Sequence, residues 1–424
     1  MKNNFIILLV AGLLCFNNAS CSDNSPADII EQPPTEPEEP DEPDMPADWI
    51  PGSDENGEVL PLIADSSFYY YNKAFLLQGN GEDKHTYYRS DENSTHWAFY
   101  WNQALIILMV EDRYYFTEDP KLKPFISKLL YAFLEHEKNP ATNETKDWTW
   151  NDFTDDLLWA GLAFIRGYQI TGDERFLEQA QWDWKFLYER AYDTELGGGL
   201  WWRAGGENTP EYKAEKSGLS NNPAVSMACY LYEATGDKYY LERAKEIYNW
   251  IYNTLREPNG AIDEHIKKNG IKTKSYNVYN VGAFIEAAAV LYRITGDRNY
   301  AADAETSIGF VMKERVNDDG IMSKWHRDGT WQSEFARGMG IYVKDNNLWN
   351  KAAVYGKTNT PTTYYEWMKM NADAAWSTHN KRYLTFNEWA KATPLTPETD
   401  KAWTALEMVS SVVMTQVTPE IKPQ

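Results

Sequence analysis

Asp155 and Asp156 stand side by side at the head of an apolar segment, in a neighbourhood crowded with indoles (Trp148-Thr149-Trp150-Asn151-Asp152-Phe153-Thr154-Asp155-Asp156). From Leu157 the apolar residues Leu157, Leu158, Leu162, Ile165, Tyr168 and Ile170 recur at helical spacing, so a helix begins here. Thr154 or Asp152 suits its N-cap, and acidic groups in a first turn suit the positive end of the helix dipole. That role alone would account for both carboxylates. A chemical role is also open to them. Neighbouring side chains inside a helix splay by about 100°, whereas at a loop-to-helix junction two carboxyls can face one target. Two carboxyl groups about 5 Å apart can act as nucleophile and acid/base in cleaving a glycosidic bond with retention.

The elements that must position this pair are helices. Apolar spacing predicts them over 97–115, 123–136, 157–170 and 175–190. Thr171-Gly172-Asp173, Thr235-Gly236-Asp237 and Thr295-Gly296-Asp297 each end one helix and begin another. Gly takes the left-handed position that closes the first helix, and Asp caps the second. Thr117-Glu118-Asp119 is a degenerate earlier copy, with Pro120 expected at the first helical position. The three full copies fall 64 and then 60 residues apart, so one helical hairpin occupies roughly 60 residues. From residue 63 onward there is room for about six. Six hairpins closed into a ring make an all-α (α/α)6 toroid, and an open solenoid is the alternative. Long connecting loops rich in Trp, Gly and Asn favour the ring, because loops gathered at one rim build a site.

Those loops supply the candidate substrate-binding residues. Trp148, Trp150, Trp201 and Trp202 fall between helices, where indoles can stack on sugar rings, and Trp101 joins them from the segment 97–115. Gly197-Gly198-Gly199 is a flexible turn delivering Trp201 and Trp202. Asn221 and Asn222 precede a helix expected from residue 224, where they would face the cleft or cap that helix. Tyr279 and Asn280 lead into the next unit in the same way, and Arg337, within Glu334-Phe335-Ala336-Arg337-Gly338, sits at the comparable place one unit later.

Composition narrows the rest. The chain has 424 residues, 43% hydrophobic and 15% aromatic, enough for a large core. Lys2, the apolar run to Phe16 and Asn18-Ala19-Ser20-Cys21 resemble a bacterial lipoprotein signal, with residues 1–20 removed and Cys21 lipidated. Cys229 is then the only other mature cysteine, so no disulfide framework is expected. Residues 21–62, acidic and Pro-rich, read as an extended tether, and 63–424 as the folded domain. The expected location is the outer membrane, held only by the lipid anchor. A net charge of −22 disfavours nucleic acid as a partner. The six histidines are scattered without a metal-binding spacing, so no metal or other cofactor is expected.

Thr154-Asp155-Asp156, Gly197 to Trp202, Ser220-Asn221-Asn222-Pro223, Tyr279-Asn280-Val281-Gly282 and Phe335-Ala336-Arg337 occur in the order found in glycoside hydrolase family 76, which the sequence resembles over residues 65–390. The resemblance implies an (α/α)6 fold and endo-acting, retaining hydrolysis of α-1,6-linked mannan by a monomer. It makes Asp155 the nucleophile and Asp156 the acid/base, with Asp156 in the more apolar setting. A non-catalytic glycan-binding protein on the same toroid is the alternative. A lyase or isomerase would usually want a cleft His or Tyr as proton carrier, and no His falls in these rim segments.

Overall fold

The structure is a computed structural model that describes residues 49–54, 56–79, 85–322, 331–397 and 402–424. The leader, Cys21 and the tether as far as residue 48 lie outside the described residues. Residues 49–62, expected in the tether, instead pack on the domain. Trp49 is buried edge-on against Phe125, with ring centroids 6.1 Å apart, and Ser53 pairs with Val59. Trp49 and Pro51 supply the apolar surface that the acidic stretch before them lacks.

Twelve α-helices are present among the described residues. They are α1 (Ile63–Phe75), α2 (Tyr100–Thr117), α3 (Leu122–His136), α4 (Thr154–Thr171), α5 (Glu174–Ala191), α6 (Gly218–Thr235), α7 (Lys238–Thr254), α8 (Val278–Thr295), α9 (Arg298–Glu314), α10 (Trp331–Asp345), α11 (Tyr364–Ser377) and α12 (Val409–Gln416). The even-numbered helices form an inner ring in which each packs on the next, and α12 packs back on α2 to close it. Of the others, α3, α5, α7 and α9 each cover the inner helix before them, while α1 and α11 cover α12. The fold is an (α/α)6 toroid. Burial follows the layers. In α8 every residue from Val278 to Leu291 is buried, as an inner helix requires. In α5 only one stripe is, including Phe176, Ala180, Trp184 and Leu187.

The hairpin corners form as their sequence dictates. Gly172, Gly236 and Gly296 close their helices with φ of 78°, 71° and 69°. The Asp173, Asp237 and Asp297 carboxylates accept the N–H groups of Arg175, Tyr239 and Asn299 at 3.0, 2.9 and 3.0 Å. At the earlier copy Glu118 takes the left-handed position, but Pro120 and Lys121 form a turn ahead of the helix, which starts at Leu122. Helix α6 departs further, starting six residues before the expected 224. Ser217 caps it by accepting the Ser220 N–H at 3.1 Å, which leaves Pro223 inside the helix rather than ahead of it.

Three small antiparallel pairings stitch the loops. Leu76–Gln78 pairs with Thr86–Tyr88, and Ala352–Tyr355 with Thr360–Thr363. Glu215–Ser217, His265–Lys267 and Lys272–Thr273 make a three-stranded sheet, with Ser217 opposite His265. That sheet fixes the segments leading into α6 and α8 at the same rim as the Asp155–Asp156 pair.

Candidate active site

The start of α4 is held by the loop bearing Trp202. Phe153 is the extended residue before the helix and pairs with Arg203, while the Thr154 N–H donates to the Trp202 carbonyl at 2.8 Å. Neither expected cap acts as one. The Asp152 carboxylate is drawn away by Arg203, 2.6 Å distant, and Thr154 is already the first helical residue. Gly205 lies so close to Asp152 that a Cβ there would come within 2.4 Å of the carboxylate. Because α4 begins at this pinned junction, Asp155 and Asp156 both open into one cavity of about 460 Å³.

Aromatic rings make most of its wall: Trp101 from α2, Trp150 and Phe153 from the loop before α4, Trp159 from α4 and Trp202. Tyr279 from α8 and Glu334 from α10 complete it. Asp155 is 7% exposed. Burial, and then its neighbour Asp156, push its carboxyl well above the usual carboxylate range. The Trp202 indole and the backbone N–H groups of residues 155 and 156 favour its charged form and partly offset that push. Asp156 is pushed up to about 6 by burial, against an Asn151 amide that donates to it at 3.0 Å. The expected contrast in setting is therefore reversed, since Asp155 is the more buried of the two. Acids this close titrate as a unit, and burial lets that unit hold a proton to higher pH than free carboxyls would.

Of the predicted binding residues, Trp101, Trp150, Trp202 and Tyr279 line the cavity. The others do not. Trp148 is fully buried, packed edge-on against Tyr100 and Phe133, and donates to the Glu137 carbonyl at 2.8 Å. Trp201 is also fully buried, its N–H donating to Asp193 at 2.5 Å, because adjacent residues of an extended segment point to opposite sides and Trp202 takes the cleft. Asn221 is neither cap nor ligand: its side chain accepts the Leu200 N–H at 2.8 Å and donates to the Leu200 and Ser217 carbonyls. The Asn222 amide donates to the Asn280 carbonyl at 3.0 Å, and the Asn280 amide to Glu264 at 3.2 Å. These amides clamp the inner helices rather than face a ligand. Arg337 points down the ring axis, gripping Asp112 at 2.8 Å, and Asp112 also receives Arg166 at 2.8 Å.

Sequence reasoning passed over Trp159, Asn151 and Glu334 as site residues. For Trp159 a signal was available: it lies four residues after Asp155, one helical turn along the same face.

The sequence matches the profile of the family described as glycosyl hydrolase family 76 over residues 61–423. The chain belongs to that family. Solved family 76 structures share the ring. An inactive variant of the α-1,6-mannanase GH76A of Salegentibacter sp. HEL1_6, with two consecutive aspartates replaced by alanine and α-1,6-mannotetrose bound, superposes with a TM-score of 0.68 at 23% identity, covering 84% of this chain and 97% of its own. A family 76 mannosidase from Bacteroides thetaiotaomicron VPI-5482 gives 0.65 at 20% identity over 84% and 97%. Dfg5 from Chaetomium thermophilum, solved with glucosamine, gives 0.62 at 17% over 84% and 88%. No curated protein sequence matches.

Proposed function

We propose that this protein cleaves α-1,6-mannosidic linkages within mannan, with retention of configuration. The observation that carries this reading is the opening of Asp155 and Asp156 together into an indole-walled cavity. In the Salegentibacter neighbour, a variant altered at two consecutive aspartates is inactive and binds α-1,6-mannotetrose. Asp155 attacks the anomeric carbon, favoured in its charged form by the Trp202 indole and two backbone N–H groups. Asp156, steadied by the Asn151 amide, gives its proton to the leaving oxygen and then draws one from the water that releases the sugar. Burial lets the pair hold a proton to higher pH than free carboxyls would, and because it bears more heavily on Asp155, the groups that favour the charged form there must offset it for Asp155 to be the ionised partner. The indoles offer flat apolar faces to the carbon-rich faces of the sugar rings. The leader and the acidic stretch support export as a lipoprotein tethered through Cys21.

The test is product release from unbranched α-1,6-mannan by the wild type, Asp155→Asn and Asp156→Asn, with the anomer of the first product read by NMR. Oligosaccharides of α configuration from the wild type alone are expected. A β product would overturn retention. Equal cleavage by either variant would return the pair to an acidic helix start, and binding without cleavage would favour a glycan-binding role.

A further inference from the structure

Inner helices α4 and α10 are opposite members of the six-helix ring. Asp155 and Asp156 therefore look across the cavity toward the first turn of α10, where Glu334 forms part of the wall. Its carboxylate has few partners. The Ser333 hydroxyl lies 3.1 Å from both carboxylate oxygens and can donate to one at a time. The nearest cation, Arg337, stands 3.9 Å away, with its Nε committed to both Asp112 oxygens at 3.0 and 2.8 Å. A carboxylate has about four acceptor sites, so most of the capacity of Glu334 is left for what fills the cavity.

Beyond the Asp155–Asp156 pair, the other acceptors of the wall among the described residues are already engaged, and the Trp150 indole N–H, which has no partner, can only donate. Asp152 is bound by Arg203, the Tyr279 hydroxyl donates to Glu264, and Asn151 holds Asp156 while its carbonyl receives Arg190 at 2.7 Å. Most of the remaining wall is aromatic or aliphatic. A sugar ring with its anomeric carbon at the Asp155–Asp156 pair thus carries several hydroxyls to a wall in which, among the described residues outside that pair, Glu334 is the acceptor left most open.

We infer that Glu334 is a substrate-binding and specificity-determining residue, accepting hydrogen bonds from neighbouring hydroxyls of the sugar ring seated opposite the Asp155–Asp156 pair. The inference rests on the proposed glycosidase reading of that pair. It adds that the ring must be neutral, because a uronate or an acidic ester facing Glu334 would set two anions together in a water-poor cavity. It also reassigns Arg337. That residue touches no ligand and steadies Glu334 from one turn below.

The experiment measures binding of α-1,6-mannotriose by calorimetry to a Asp155→Asn/Asp156→Asn protein, with and without Glu334→Gln, and hydrolysis by the wild type in parallel. Glu334→Asp, which keeps the charge and withdraws it from the cavity, serves if the Gln variant melts early. Losing a hydrogen bond to a charged group predicts a roughly 10- to 100-fold weaker affinity for either variant, with a melting temperature for the Gln variant no lower than the parent's. Affinity within twofold of the parent in a folded variant, alongside wild-type hydrolysis, would overturn the role of Glu334 and leave the glycosidase reading intact. A wild type that neither binds nor cuts mannotriose would overturn both.

Discussion

At the rim formed by the N-terminal ends of the inner helices, the carboxyls of Asp155, Asp156 and Glu334 face a cavity of about 460 Å³. At the opposite mouth, where the same helices end, a larger cavity of about 760 Å³ is lined by Arg166, Arg293, Lys344 and several tyrosines. Acids at helix starts and bases at helix ends are what the peptide dipoles favour. The two mouths differ in how those charges are used. Arg293 bridges Glu233 and Asp345 at 2.8 Å each, Arg166 is held by Asp112, and Lys344 donates to the Tyr115 carbonyl. At the rim, by contrast, desolvation raises all three carboxyls despite the favourable dipoles. Cavity size does not separate a working mouth from a structural one; uncommitted, desolvated charge does.

Substitutions can break that comparison. Asp155→Asn or Asp156→Asn is expected to lower kcat on α-1,6-mannan by about 10²- to 10⁴-fold or more, in steady-state assays of reducing-end release. Trp202→Ala removes both an indole wall and a donor to Asp155, and a loss of about tenfold in kcat/KM is expected. Asn221→Ala strands the Leu200 N–H and carbonyl, costing about 2–3 kcal/mol in denaturant unfolding, with activity reduced through a displaced Trp202. Asp156→Asn should raise stability by about 1–3 kcal/mol at pH 8. The sign follows from linkage. A folded-state value of about 6 against 3.8 unfolded means that the native protein holds the extra proton, so stability falls as pH rises through this window. Glu334, raised from 4.5 to about 7, extends the fall toward neutrality. Melting curves from pH 4 to 8 check both. At the opposite mouth, Arg293→Gln should cost about 1 kcal/mol of stability and leave kcat/KM within about twofold.

The ring and its corners were legible because each hairpin repeats a local rule, Gly to stop and Asp to start, that needs no distant partner. The Asp155–Asp156 pair was legible for the same reason: its chemistry is a matter of adjacency. What lines the cavity was less so, because it depends on distant pairings. Trp201 and Trp202 are chemically identical neighbours, and the pairing of Phe153 with Arg203 decides which one meets the ligand. Asn221, Asn222, Asn280 and Arg337 stand at the rim, as their spacing implies, but the inner helices approach too closely there for these side chains to face solvent. A Cβ on Gly282 of α8 would come within 2.2 Å of the Phe335 backbone of α10. Polar residues at such seams are spent on joining helices. Glu334 escaped notice because its role depends on a ring geometry that places α10 opposite α4.

The seam between α12 and α2 bears on how the protein can be made. There the Gln416 amide donates to the Met109 sulfur at 3.7 Å, across 307 residues of chain. The other neighbouring pairs of inner helices belong to consecutive hairpins and can pack as each pair emerges, whereas this seam waits for nearly the whole chain. Until it forms, the flank of α2 bearing Met109 lacks its neighbour. During synthesis the growing chain is therefore an open crescent with an adhesive edge, protected only once its two ends meet.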